Sequence, residues 1–294
     1  MKKKLPTIIV TLIIIAGLAF LLYPTISDYL KSIAYNRAIE NYQAVVADID
    51  EETYEDIMTE AKVYNDKVLA RGNVRATLTD EELTEYESQL NIDDSGIMGY
   101  VVIPKINVSL PIYHGTKDTV LQSGIGHLEG SSLPIGGEGT HSVLSGHRGL
   151  PSAKLFTNID QLVEGDTFTV RVLREVLTYE VDEIRTVLPH EVNSLQIVKG
   201  QDYCTLLTCT PYGVNTHRLL VRGHRIPTPE GEDAETFDRI IAQQSRKHYL
   251  LFVGYIAGAV LLLIIIIVII IVVKKRKKRR TRAAEAEKIP KLHL

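Results

Sequence analysis

Two long stretches without a charged residue constrain this chain more than any other feature of its sequence. Residues 5–27 and residues 249–273 contain no Asp, Glu, Lys or Arg. Each stretch is long enough to cross the apolar core of a bilayer as a helix, which needs about 20 residues. The sequence therefore predicts two membrane spans, with residues 28–248 between them outside the bilayer.

Basic residues flank both predicted spans on the sides that face away from the middle region. Three lysines occupy residues 2–4, and seven consecutive Lys and Arg residues follow the second span at 274–280. Because such residues tend to stay in the cytoplasm, residues 1–27 are predicted to form a cytoplasmic tip and an anchor, and residues 274–294 a basic cytoplasmic tail. The middle region is then extracellular. A cleaved signal peptide is the alternative for the first stretch, but no convincing small-x-small cleavage site follows it.

The middle region is acidic, with 34 Asp and Glu residues against 20 Lys and Arg residues between positions 24 and 248. An acidic domain repels a phosphate backbone, which argues against nucleic acid as a partner. The basic cluster at 274–280 is interpreted as a topology signal and as a contact for anionic membrane lipid.

The middle region changes character near residue 96. Residues 28–95 are predicted to be a helical segment, in which the polar stretch 71–94 is a mobile loop or a short helix. Residues 227–248 are predicted to be a linker to the second span. Short β-rich runs separated by turn signals predict strands at 99–104, 141–145, 166–172, 177–187, 203–209 and 218–226. Strands without long helices between them indicate a closed barrel or a sandwich over residues 96–226.

The only two cysteines, Cys204 and Cys209, fall on one predicted strand. Five residues along a strand span about 16 Å, whereas a disulfide needs Cα atoms within about 7 Å. The odd separation also points the two side chains to opposite faces, so no disulfide is expected. Cys209 ends the strand and begins a loop, where a thiolate can attack an acyl group. A structural, buried thiol is the alternative.

Two further residues complete a candidate site around Cys209. If the hairpin is symmetrical about its loop, Arg218 lies opposite Cys209, where a guanidinium stabilises a thiolate or an oxyanion; a solvated strand charge is the alternative. Arg222 is predicted to be a surface or substrate-rim charge. His147 has glycines on both sides, which indicates a turn that presents its ring for acid–base chemistry, although a structural histidine is also possible.

Several stretches resemble one known family. Residues 205–211 read Thr-Leu-Leu-Thr-Cys-Thr-Pro and residues 215–223 read Asn-Thr-His-Arg-Leu-Leu-Val-Arg-Gly, which resembles the active-site signature of the sortases. Further stretches, 110–115, 126–127, 132–134 and 145–151, resemble the pilin-polymerising class C sortases. The resemblance covers roughly residues 96–225, and the layout with two spans also suits class C.

The resemblance implies a mainly β fold, a closed eight-stranded sortase-type barrel, here with an N-terminal helical segment and two flanking transmembrane helices. It places the catalytic residues at His147, Cys209 and Arg218, with no cofactor and no metal. Proteins of this kind cleave a Leu-Pro-x-Thr-Gly-like sorting signal after threonine through a thioacyl intermediate. In class C the acceptor is a pilin lysine, so the implied partners are pilins or surface proteins that carry such signals.

One class feature is missing, and rival functions remain. No Asp-Pro-aromatic lid motif occurs between residues 24 and 96, and the acid-rich stretch 79–82 is either a variant lid or a solvated helix face. The alternatives are a sortase that anchors proteins to the cell wall and a membrane-tethered binding module with a structural Cys209. A metal site is not predicted, because the histidine spacings match no ligand pattern.

Overall fold

The computed structural model describes residues 5–72, 74, 77–229 and 234–287. Its helices are α1 (Leu5–Asp48), α2 (Glu51–Arg71), α3 (Asp80–Ser88), α4 (Asp118–Leu121) and α5 (Ala234–Glu287). Its strands are β1 (Ile97–Ile103), β2 (Val108–His114), β3 (Ile125–His127), β4 (Thr140–Ser145), β5 (Thr167–Val172), β6 (Glu175–Val187), β7 (Asp202–Thr210) and β8 (His217–Ile226). The lysines at 2–4, part of the predicted linker (230–233) and the end of the predicted tail (288–294) lie outside the described residues.

The strands close into one barrel in the order β1-β2-β3-β4-β7-β8-β6-β5. Two neighbouring pairs, β2 with β3 and β4 with β7, are parallel. The remaining pairs are antiparallel, including β1 with β5, which closes the barrel. The prediction of a closed eight-stranded barrel is confirmed, and the sandwich alternative is excluded.

Strands β2 and β3 are the two strands that the sequence pattern does not predict. β2 contains Pro111, which has no N–H to donate and therefore argues against a strand. It nevertheless pairs with β1, with Pro111 opposite Tyr100. β3 is only three residues long and is defined by its neighbours. Both strands depend on tertiary pairing more than on local composition.

Side chains of β7 alternate between two environments, as the period of a strand requires. Cys204, Leu206 and Thr208 are at most 1% exposed. Leu207, between two of them, packs instead with Val143 of β4 in a separate apolar cluster. The odd-numbered residues of β7, which include Cys209, therefore share the outer face of the barrel wall.

Helices α1 and α2 are fastened to the barrel by buried polar contacts. The hydroxyl of Tyr42 in α1 donates to the carbonyl of Met98 at 2.9 Å and accepts from the N–H of Leu173 at 2.8 Å. The amide of Asn65 in α2 makes two hydrogen bonds with the backbone of Leu133, at 3.2 and 2.7 Å. Each large apolar side chain buried between these layers contributes about 1.5–3 kcal/mol.

The polar stretch 71–94 contains a well-capped short helix. Thr79 and Glu82 form a capping box at the start of α3, and Glu82 also pairs with Arg71 at 3.4 Å. The acid-rich stretch 79–82 is thus the N-terminus of a helix. The buried Tyr86 attaches α3 to β3, because its hydroxyl lies 2.9 Å from Nδ1 of His127. α3 is therefore attached to a strand that lies two strands away from β8, the strand that carries Arg218.

Both apolar stretches belong to longer helices. Within α1 and α5, Leu12–Asp48 and Tyr249–Arg280 are long and apolar enough to cross a membrane. α5 begins at Ala234, so residues 234–248 of the predicted linker are helical, and the basic cluster at 274–280 continues the same helix. The chain divides into two compact units, Tyr23–Arg246 and, separately, Met1–Leu22 with Lys247–Leu294.

Candidate active site

The hairpin of β7 and β8 brings Cys209 and Arg218 together. In its antiparallel register Cys209 pairs with Arg218, and Thr210 pairs with His217. Directly opposed residues on antiparallel strands project from the same face with Cβ atoms about 4.5–5.5 Å apart. The opposition that hairpin symmetry predicted is therefore present, and Cys209 is only partly buried.

The two cysteines are both free thiols, so the prediction that they form no disulfide is confirmed. Cys204 is 1% exposed. Burial, with a smaller contribution from the charge of Asp202, raises the pKa of the Cys204 thiol well above its usual value. Because the thiolate is the reactive form, Cys204 is chemically quiet, and Cys209 is the more accessible of the two thiols.

His147 lies just beyond β4, beside the end of β7. The parallel register pairs Ser145 with Leu207. The N–H of Gly146 then donates to the carbonyl of Leu207 at 3.0 Å. His147 lies two residues after Ser145, and Cys209 lies two residues after Leu207. The backbone therefore brings this histidine and this cysteine to the same end of two adjacent strands.

Close packing explains why a glycine precedes His147. A Cβ atom on Gly146 would lie 2.6 Å from Cδ1 of Ile125 and 2.7 Å from Cδ2 of Phe156. From the other side, the buried hydroxyl of Thr208 donates to the carbonyl of Gly146 at 2.7 Å. Any side chain at position 146 would displace the segment that carries His147.

Helix α1 holds the loop that follows His147. The hydroxyl of Ser27 donates to the carbonyl of Ser152 at 3.0 Å. The carboxylate of Asp28 accepts from the N–H of Lys154 at 2.9 Å and pairs with its ammonium group at 3.3 Å. These residues are more than 120 positions apart in sequence, which is why sequence patterns do not reveal the contacts.

Arg218 and Arg222 share a face of β8 but have different partners. Nη1 of Arg218 donates to the carbonyls of Asn215 and His217, at 3.3 and 3.2 Å, so the loop backbone orients its guanidinium. Arg222 makes a bidentate pair with Asp182, at 3.0 and 2.9 Å. The charge of Arg222 is thus engaged on the outside of the barrel, away from the end that carries Cys209.

An apolar cluster lies beside the site on the same outer face. Leu207 is two residues before Cys209, and Leu220 is two residues after Arg218. The cluster consists of Val143, Leu195 and Leu220, with Leu128, Val187 and Leu207 packed against it. Val143, Leu195 and Leu220 are at most 4% exposed, so only the partly buried Leu128, Val187 and Leu207 can contribute apolar surface beside the site.

Other histidines have structural partners. Nδ1 of His141 lies 3.0 Å from the carbonyl of Gln196, and its Nε2 lies 2.7 Å from the hydroxyl of Thr205. Burial lowers the pKa of both His127 and His141 to about 4. These rings are therefore neutral at physiological pH and part of the packing. Over the described ranges, no group of three or more His, Cys, Asp and Glu side chains could hold a metal ion.

Comparison with known proteins gives a consistent result. The sortase domain family matches residues 101–226. The chain has 59% sequence identity to sortase C1 from Streptococcus agalactiae, whose crystal structure is known. The match covers 66% of this chain and 100% of that one, with a TM-score of 0.64. It is 44% identical to a sortase C structure from Clostridium perfringens with the C-terminal cell wall sorting motif, over 65% of this chain and 99% of that one, with a TM-score of 0.58.

A more distant relative shares the domain. Sortase D of Bacillus subtilis is 30% identical over 131 residues, which are 44% of this chain and 63% of that protein. The family match contains His147, Cys209 and Arg218. With 59% identity over the whole of a solved class C relative, the chain belongs to the sortase family of cysteine transpeptidases, and within it to class C.

Proposed function

We propose that this protein polymerises pilins. It cleaves a Leu-Pro-x-Thr-Gly-like sorting signal between threonine and glycine and transfers the acyl group to a lysine amine of another pilin subunit. The observation that carries the proposal is the arrangement of three residues: Cys209 opposite Arg218 in one hairpin, with His147 at the same end of the adjacent strand.

Cys209 acts as the nucleophile. Its thiolate attacks the carbonyl carbon of the signal's threonine and forms a C–S bond, giving a tetrahedral intermediate. The C–N bond to glycine then breaks, which leaves a thioester on Cys209 and releases the fragment that begins with glycine. An incoming amine attacks the thioester, an amide forms, and the thiolate is regenerated, so no oxidant or cofactor is needed.

His147 transfers the protons of this cycle, and Arg218 stabilises its negatively charged intermediates. His147 donates a proton to the departing glycine amine and later removes one from the attacking lysine amine. Arg218 is permanently charged, so it stabilises the oxyanion of each tetrahedral intermediate without a proton transfer. The loop carbonyls that hold its guanidinium keep it oriented before the substrate arrives.

The choice of substrate is supported by the relatives and by the site surface. The Clostridium perfringens sortase C structure was determined with a C-terminal cell wall sorting motif. The partly buried Leu207, two residues before Cys209 on the same face of β7, suits an apolar side chain of such a motif. We also propose that the barrel, residues 96–226, is the catalytic domain and lies outside the cell. The two apolar helices cross the membrane, both chain termini lie in the cytoplasm, and the basic cluster at 274–280 contacts anionic lipid.

Mass spectrometry tests the nucleophile. The protein is incubated with a Leu-Pro-x-Thr-Gly peptide and digested under conditions that preserve thioesters. We expect the threonine-terminated acyl group on Cys209 and none on Cys204. A Cys204→Ala variant should still form the adduct, whereas Cys209→Ala should form none. A Cys209→Ala protein with full transfer activity would instead support a membrane-tethered binding module.

The acceptor is tested separately. Purified pilin subunits with intact sorting signals are mixed with the enzyme and analysed on denaturing gels. Pilin polymerisation predicts a ladder that resists denaturant and disappears when the acceptor lysine is replaced by arginine. Transfer only to small amines that resemble the cell wall cross-bridge would instead assign the protein to wall anchoring.

A further inference from the structure

The segments that carry His147 and Cys209 separate where the regular strand pairing ends. The last backbone hydrogen bond between them runs from Gly146 to Leu207. Beyond it, the carbonyl of His147 turns away from β7 and accepts from the N–H of Phe156 at 3.1 Å. Backbone pairing therefore does not set the separation of the two reactive side chains.

Two side-chain hydrogen bonds take over from the backbone at this point. The first, already described, runs from Thr208 to the carbonyl of Gly146. The second runs from Nη1 of Arg148 to the hydroxyl oxygen of Thr210 at 3.1 Å. Thr208 and Thr210 are the neighbours of Cys209, and the residues that they contact are the neighbours of His147. The pair of bonds thus brackets both reactive residues.

Arg148 is itself held in place from the opposite side. Its Nη2 pairs with the carboxylate of Asp160, which belongs to a short 3-10 helix, Ile159–Gln161. The Arg148 side chain is only 10% exposed, while that of Asp160 is 42% exposed. Nε of Arg148 is buried without a partner among the described residues, which costs about 1–3 kcal/mol. Stability alone therefore does not explain why a guanidinium occupies this place.

We propose that Arg148 is a positioning residue, which fixes His147 against Cys209 through its bond to Thr210. The proposal rests on the function proposed above, because it assumes that these two residues react together. The planar guanidinium donates to Thr210 and Asp160 at once, whereas an ammonium group is a single point charge. A displacement of about 1 Å between reacting groups can cost roughly 100-fold in rate, so one such contact matters greatly.

Substitutions of Thr210 offer the cleanest test, because they leave the Arg148 side chain unchanged and can be made as a matched pair. Thr210→Val has nearly the same volume but cannot accept the hydrogen bond, whereas Thr210→Ser keeps the hydroxyl. The full-length chain in detergent is mixed with a Leu-Pro-x-Thr-Gly peptide, and the single-turnover rate of thioacyl formation on Cys209 is measured. We expect at least a tenfold loss of the rate at saturating peptide for Thr210→Val, with the half-saturating peptide concentration changed less than twofold, and a rate within twofold of wild type for Thr210→Ser.

Alkylation of Cys209 by iodoacetamide gives a readout that needs no substrate. Its rate as a function of pH reports how His147 influences the thiol. We expect the Thr210→Val profile to differ from the wild-type profile, because His147 then lacks a fixed position beside the thiol, with the Thr210→Ser profile unchanged. Arg148→Lys should show the same direction of change. Circular dichroism and thermal unfolding identify any variant that is simply misfolded.

The outcomes separate this inference from the proposed function. If wild type forms the adduct on Cys209 but Thr210→Val has a wild-type rate and alkylation profile, the positioning role is wrong and the transpeptidase proposal stands. If wild type forms no adduct on Cys209, the proposed function fails, and this inference fails with it.

Discussion

Strands β4 and β7 lie side by side and carry two His–Cys pairs with opposite properties. Near the start of these strands, His141 and Cys204 are about 1% exposed. At their end, His147 and Cys209 are only partly buried. Burial lowers the pKa of His141 to about 4 and raises that of Cys204, so both groups of the first pair are uncharged at neutral pH. The chemistry thus depends on the surroundings and not on the residue types.

The largest expected difference between the pairs concerns the histidines. Replacing His147 with Gln should lower the transfer rate about 10²–10⁴-fold, the usual contribution of a general acid–base, and leave the unfolding free energy within about 0.5 kcal/mol. Replacing His141 with Gln should do the reverse, because the contacts to Gln196 and Thr205 are disturbed. A loss of about 1–3 kcal/mol is expected there, with a transfer rate close to wild type.

Steady-state transfer to an amine acceptor and urea unfolding, measured on the same protein preparations, distinguish these outcomes. If His141→Gln lost activity while fully folded and His147→Gln did not, the assignment of the reactive pair would be reversed.

The two arginines of β8 extend the comparison. Arg218→Ala should lower kcat by about 10²–10³, as the loss of an oxyanion donor does. Arg222→Ala serves as the control on the same face, since it removes the ion pairs with Asp182 and Glu183 and the cation–π contact with Tyr203, away from the end of the strand that carries Arg218. The transfer rates of both variants are compared at saturating peptide. Equal losses would show that the outer face as a whole, rather than the position opposite Cys209, supports the reaction.

The last comparison concerns pH. The folded pKa of His127 and His141, about 4 in both cases, lies below the unfolded value of about 6.5. The unfolded chain therefore binds more protons between these two values, and stability should fall as the pH falls from about 6.5 toward 4. The loss is on the order of 3 kcal/mol for each ring at most.

Urea unfolding at a series of pH values measures this slope. His141→Gln should reduce the slope, because burial lowers the pKa of this ring. A slope unchanged in His141→Gln would contradict the comparison.

Much of the barrel, and part of the candidate site, could be predicted from local sequence signals. The opposition of Cys209 and Arg218 could be predicted because symmetry about the hairpin loop fixes the register of its two strands. Strands β2 and β3 could not be predicted. Pro111 argues against a strand at the position of β2, and β3 is recognisable only by its pairing with neighbouring strands. The contact between Arg148 and Thr210 also has no sequence signal, because it depends on how two separate chain segments diverge after their last backbone bond.

The bonds from Ser27 and Asp28 to the loop after His147 bear on how the enzyme is best assayed. Ser27 is the last residue of the first apolar stretch and Asp28 is the first charged residue after it, so a fragment trimmed of this stretch would start close to both. A fragment beginning at residue 29 would keep every strand of the barrel and still lose both tethers of that loop. Rates obtained from such a fragment would describe a looser catalyst than the 294-residue chain, and the ratio of the two rates would report what the contacts from α1 contribute to turnover.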